Sequence, residues 1–272
     1  MLNGWDVFLR PFYVLGVLIW NLMLRLIAAT SGATPEMFST PAWSFVTDSL
    51  YPLFAAIGAT LLNVFFYIGY IRQASNLKQG MTMEIFVECC LKVIFGNVLI
   101  QYLIQLVRYL FAMSGIMSIA MLDGETMTFI QTDMDAGASF FYMTFGIVFF
   151  AVCLVCAATI FLTVYGRFLQ LYLLVLAAPI AISTIPGGIG VSSTAAAWIK
   201  TFLGKTFSIV FIALSITIAT KMCEGVDYLT SQSGFYGEMD GFFQAIQNIF
   251  TMVLMTASVK GMDVFMRRTF GL

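Results

Sequence analysis

The chain has 272 residues, 60% of them apolar and 10% charged, with 13 basic side chains, 14 acidic ones and no histidine; its mean hydropathy is +0.94. Soluble domains carry roughly 45–50% apolar and about 25% charged residues, so a soluble globular protein is excluded. The lack of imidazole removes the usual general base, the usual pH switch and the commonest metal ligand. What remains is an all-α, polytopic transmembrane protein with five or six spans, a re-entrant or broken helix, and an N-terminal helix that spans or lies in the interface.

A bilayer core near 30 Å takes about 20 helical residues. A charge at its centre costs about 2.5–3.5 kcal/mol on insertion scales, so charge-free runs mark the spans. Residues 11–24 offer only 14 positions between Arg10 and Arg25, and they cross only if both arginines snorkel. Asp6 and Arg25 argue against a cleaved leader ending in the small residues 28–33. Residues 49–71, 140–164 and 241–259 are clean spans. Residues 93–122 read as one long apolar helix with Arg108 inside it, and residues 206–220 cross with help from Phe202 and Leu203. Residues 168–199 carry no charge, but Pro179 and then Pro186, Gly187 and Gly188 interrupt them. The helix is expected to break there, as a re-entrant element or as a hairpin turning at the interface. The chain is thus one membrane domain in three stretches: 1–48, an N-terminal helix and acidic loop; 49–135, a first helical half; and 136–272, a core with its break near 179–190.

Basic residues stay on the cytoplasmic side. Grouping the N-terminus, residues 72–92, Arg167, residues 200–205 and the C-terminus on one side collects ten bases and four acids. The other side then holds ten acids, among them Glu36, Asp48, Asp133 and Asp135, against Arg25 and Lys221. This threading predicts six crossings with both termini in the cytoplasm.

Candidate chemistry is sparse. Cys153 and Cys156 have the spacing of a redox or metal half-site, yet they lie mid-span with no second pair or histidine; they and Cys89–Cys90 read as small hydrophobes. Glu88 and Lys92, four apart, share a helix face and form a candidate intramembrane ion pair. Arg108 should face a sheltered interior, a water-filled space or headgroups. Ala177 and Ala181 make a small-xxx-small contact for a neighbouring helix. No nucleotide-binding loop, nucleophile elbow, zinc-protease motif or paired-carboxylate site is present. The expected function is non-enzymatic and without a cofactor: a channel, scaffold or assembly subunit.

A resemblance narrows this. Tyr165-Gly166-Arg167, Leu171-Tyr172-Leu173-Leu174, Ala177-Ala178-Pro179-Ile180-Ala181, a polar Gly/Ser loop, Ala197-Trp198-Ile199-Lys200-Thr201-Phe202, and the tail from Ala257 to Leu272 stand in this order. The pattern resembles the TrbL-type polytopic inner-membrane subunit of conjugative type IV secretion systems, in the form carried by mobile elements of Gram-positive bacteria. It covers less than a quarter of the chain. None of the 272 residues matches the large extracytoplasmic domain of some longer relatives. The resemblance implies passage of single-stranded DNA with its attached relaxase across the cytoplasmic membrane. It also implies secretion subunits and cytoplasmic ATPases as partners, a homo-oligomer, and a cytoplasmic C-terminus. It supplies no enzymatic residues; Arg167, Pro179, Trp198 and Lys200 carry over as structural positions. Trp198, Lys200 and Lys205 are expected to form a cytoplasmic basic rim that attracts DNA phosphates or anionic lipid headgroups. Two other readings stay open: a small-solute or ion transporter with Glu88, Lys92, Arg108 and the broken helix at its site, and a membrane assembly or holin-like protein.

Overall fold

A computed structural model describes residues 4–75, 83–121, 136–188, 190–232 and 240–270. Among them there is no strand. The helices are α1 (Gly4–Ser31), α2 (Pro35–Phe38), α3 (Thr40–Ser44), α4 (Tyr51–Ala74), α5 (Met83–Met121), α6 (Ala136–Ser183), α7 (Ser193–Gln232) and α8 (Asp240–Phe270). A π-helical turn (Phe45–Leu50) joins α3 to α4, and a 3-10 turn (Ile185–Gly187) follows α6. Six stretches of the described residues are long and apolar enough to cross a membrane: Pro11–Thr30, Thr40–Arg72, Phe86–Met121, Thr144–Gly187, Ser193–Ala219 and Ile246–Met266. The chain is an all-α multi-pass membrane protein. Lipid leaves no partner for a bare peptide group, which is why these apolar runs close their hydrogen bonds within helices. The acidic stretch with Asp123, Glu125, Asp133 and Asp135, and also Lys78 and Glu238, lie outside the described residues.

Two expectations about helix ends are corrected. Arg167 does not stand at a turn: α6 runs through it unbroken for 48 residues, about 72 Å. Pro179 does not interrupt the helix either. The break falls at residues 184–192, where Thr184, Gly187, Val191 and Ser192 N–H groups donate to carbonyls three or four residues back. Gly188 has φ 80° and ψ −174°, a conformation open in practice only to glycine. Proline inside an apolar helix is tolerated where neighbours fill the gap it leaves, and here α4 fills it.

The chain forms two compact units. The first comprises Met1–Gly32, Gly115–Gly166 and Ser208–Phe265. Its buried side chains include Trp20, Leu24, Phe149, Ile160, Ile216 and Met252. Tyr13 packs on Phe149 at 4.5 Å between ring centroids, and Cys153 Sγ lies 3.4 Å from Met252 Sδ. Cys153 and Cys156 are free and buried, as small hydrophobes should be.

The second unit comprises Ala33–Ser114, Arg167–Phe207 and Met266–Leu272. Its core joins Trp43, Tyr51, Leu103, Phe111, Val175, Ala178, Ile182 and Phe202. Contacts along its length fix the directions of the helices. Phe38 stacks on Phe168 at 4.0 Å, Gly58 lies against the Pro179 carbonyl, and Gly69 lies against the Pro186 carbonyl, so α4 and the end of α6 run parallel. Trp43 meets Phe111, the Tyr51 hydroxyl donates to the Ile100 carbonyl, and Tyr70 meets Phe86, so α5 runs antiparallel to α4. Of the expected small-residue pair, Ala181 is buried and Ala177 is exposed, and the close approach to α4 is made by Pro179 against Gly58.

Candidate functional site

The second unit has two polar ends. From Arg167 to Ser183 along α6 is about 24 Å, close to the thickness of a hydrocarbon core. One end holds the helix break, Arg72, Glu88 and Lys92. The other holds Glu36, Arg108, Arg167 and the Lys205–Thr206 backbone. This corrects the charge grouping, which puts Arg167 and Lys205 beside Arg72; in the folded unit they lie at the opposite end.

Arg167 is the centre of the second cluster. It stands between apolar residues on a continuous helix and is only 7% exposed. Its Nε donates to the Lys205 carbonyl at 3.0 Å and its Nη2 to the Thr206 carbonyl at 2.9 Å, which ties α6 to α7. The guanidinium carbon lies 5.7 Å from the centre of the Phe168 ring, which also stacks on Phe38. Its Nη1 and the Thr206 hydroxyl are buried with no hydrogen-bond partner among the described residues. Among those residues no carboxylate pairs with it either. Backbone dipoles and an aromatic face, not a counter-charge, therefore hold this cation.

Arg108 is not sheltered. Its Nε sits 3.3 Å from Glu36 Oε2, with both side chains about half exposed. Glu36 is placed by the short α2, which Thr34 caps by accepting from the Met37 N–H, and Tyr172 donates to the Pro35 carbonyl at 2.7 Å. Thr34-Pro35-Glu36 is a helix-start signal visible in the sequence, but nothing local points from it to Arg108, 72 residues on.

At the other end Glu88 Oε1 and Lys92 Nζ form the expected pair at 2.6 Å, with side chains 57% and 37% exposed. A solvent-screened pair at this spacing contributes little. Glu88→Gln is expected to change thermal stability in detergent by less than about 0.5 kcal/mol. The three basic-rim residues divide. Trp198 Nε1 donates to the Leu174 carbonyl at 3.0 Å and its ring stacks on Phe202, so it is an internal clamp between α6 and α7. Lys200 is exposed and Lys205 is half-buried. Pro186 and Gly187 are buried against α4, while Gly188 shapes the turn.

Among the described residues no group of three or more His, Cys, Asp or Glu side chains is placed to hold a metal ion. The chain matches no family model, no curated protein and no solved structure.

Proposed function

We propose that this protein is a membrane channel or scaffold subunit of a conjugative type IV secretion system, helping single-stranded DNA with attached relaxase to cross the cytoplasmic membrane. One observation carries the reading. Two of the positions carried over by the TrbL-type resemblance, Arg167 and Trp198, close one structural element, the hairpin of residues 167–207, and a third, Pro179, seats it against α4, while Lys200 is exposed. Arg167 binds the Lys205 and Thr206 carbonyls, Trp198 binds the Leu174 carbonyl, and Pro179 seats against Gly58. Three of the four positions thus have a common physical task, which favours a shared module over scattered coincidence. The other subunits, the cytoplasmic ATPases and a homo-oligomeric state enter as partners through the same reading. In this reading the C-terminus faces the cytoplasm.

A transporter is the weaker reading. It needs Glu88, Lys92 and Arg108 at the broken helix, but Arg108 pairs with Glu36 at the far end of the unit. The helix break itself is closed by its own hydrogen bonds.

The test is genetic and biochemical. Deleting the gene from its mobile element should abolish conjugal transfer, and the purified protein should be inert alone in liposomes while co-purifying with an ATPase. Lys200→Glu combined with Lys205→Glu should lower transfer while leaving membrane insertion unchanged. Normal transfer by the deletion strain, or solute flux by the protein alone, overturns the proposal.

A further inference from the structure

The first unit carries a groove that the proposed secretion role does not use. It has a volume of about 420 Å³ and runs along α1 from Tyr13 to Arg25. This volume lies in the range of small-molecule sites, about 300–1,000 Å³. Val14, Leu18 and Leu22 line it at i, i+4 and i+8, and each is about half exposed. Tyr13, buried against Phe149, and Val17 complete the apolar part. The far end is polar: Asn21, then Arg25.

The placement of Arg25 identifies the occupant. It lies in the span Pro11–Thr30, five residues from its end, or about 7.5 Å of helix. An arginine at that depth carries its guanidinium out to the headgroup layer while its stem stays in hydrocarbon. Arg25 is exposed and, among the described residues, forms no ion pair. The lining, all of it on α1, is therefore an apolar strip of about 18 Å from Tyr13 to Arg25 that ends in a fork of N–H donors. We infer that this groove binds one anionic phospholipid, its phosphate on Arg25 and an acyl chain along Leu22, Leu18 and Val14. A second protein helix would bring an apolar or acidic side chain to Arg25, whereas a phospholipid supplies both halves of the surface from the surrounding solvent. This inference stands independently of the secretion reading.

The full-length protein in detergent, studied by native mass spectrometry, tests it. Phosphatidylglycerol and phosphatidylcholine with identical acyl chains are added in competition. One basic residue near a lipid phosphate is worth about a fivefold preference, so the wild type should retain phosphatidylglycerol about fivefold over phosphatidylcholine. Arg25→Gln should abolish the preference, and Leu18→Trp, which fills the groove, should lower retention of both lipids. Soluble glycerol phosphate should not compete. Equal retention of the two lipids by the wild type overturns the inference without any variant. So does undiminished preference in Arg25→Gln, or a lipid-free dimer that Leu18→Trp dissociates.

Discussion

Gly69→Ala is expected to destabilise the second unit by about 2 kcal/mol, although alanine is the better helix former. A Cβ at this position collides with the Pro186 carbonyl, and the next nearest atoms are backbone of Pro186 and Gly187. Overpacking typically costs about 1–3 kcal/mol, and an obstacle made of backbone rather than a flexible side chain places this site at the upper end. The gain in helix propensity offsets about 1 kcal/mol. Gly166→Ala is the control, since a Cβ there meets nothing within 4 Å. It should raise stability by up to about 1 kcal/mol. Thermal unfolding of both variants in one detergent separates the terms: equal shifts of the same sign would show that α4 does not press on the turn.

Arg167→Glu is expected to be the most damaging single charge change, about 3–5 kcal/mol or loss of the folded protein. The substitution replaces two donors by an anion facing two carbonyl oxygens in a buried place. Arg167→Met should behave differently. It removes the two hydrogen bonds, worth roughly 0.5–1.5 kcal/mol each and more for a charged donor, but also the desolvation cost of a buried cation with no counter-charge. These nearly cancel, so the Met variant should fold within about 1 kcal/mol of wild type. If the proposed secretion role holds, conjugal transfer then tells whether the cation itself is needed: a stable, transfer-deficient Met variant assigns Arg167 a role beyond holding the hairpin, and full transfer confines it to packing. A Met variant as unstable as the Glu variant would mean that the two carbonyl bonds dominate.

The helical membrane architecture was legible because bilayer insertion penalises charge so steeply that runs between charged residues outline the spans. Residues 49–71 fall within the crossing stretch Thr40–Arg72, and residues 241–259 overlap Ile246–Met266, which continues past Lys260. The same rule failed at Arg167. A lone charge between two apolar runs reads as a loop, yet Val164-Tyr165-Gly166-Arg167-Phe168-Leu169 lacks the clustered turn residues that a connection needs, and the structure continues as helix. Pro179 misled in the same direction, since its seat is the bare backbone of Gly58 on another helix. That complementarity has no local signature. Glu88 and Lys92 were readable from helical spacing alone; Glu36 and Arg108, 72 residues apart, were not.

The glycine face of α4 also sets an order of assembly. Gly69 is synthesised 117 residues before its seat, Pro186, which at about 5–20 residues per second is roughly 6–23 seconds. During that interval α4 waits in the bilayer with a notch that only the later hairpin matches, so the hairpin is the closing piece. Its turn, already bonded to itself, arrives ready to dock. A chaperone or insertase that shields α4 during this wait would act on the nascent chain and leave no trace in the finished protein.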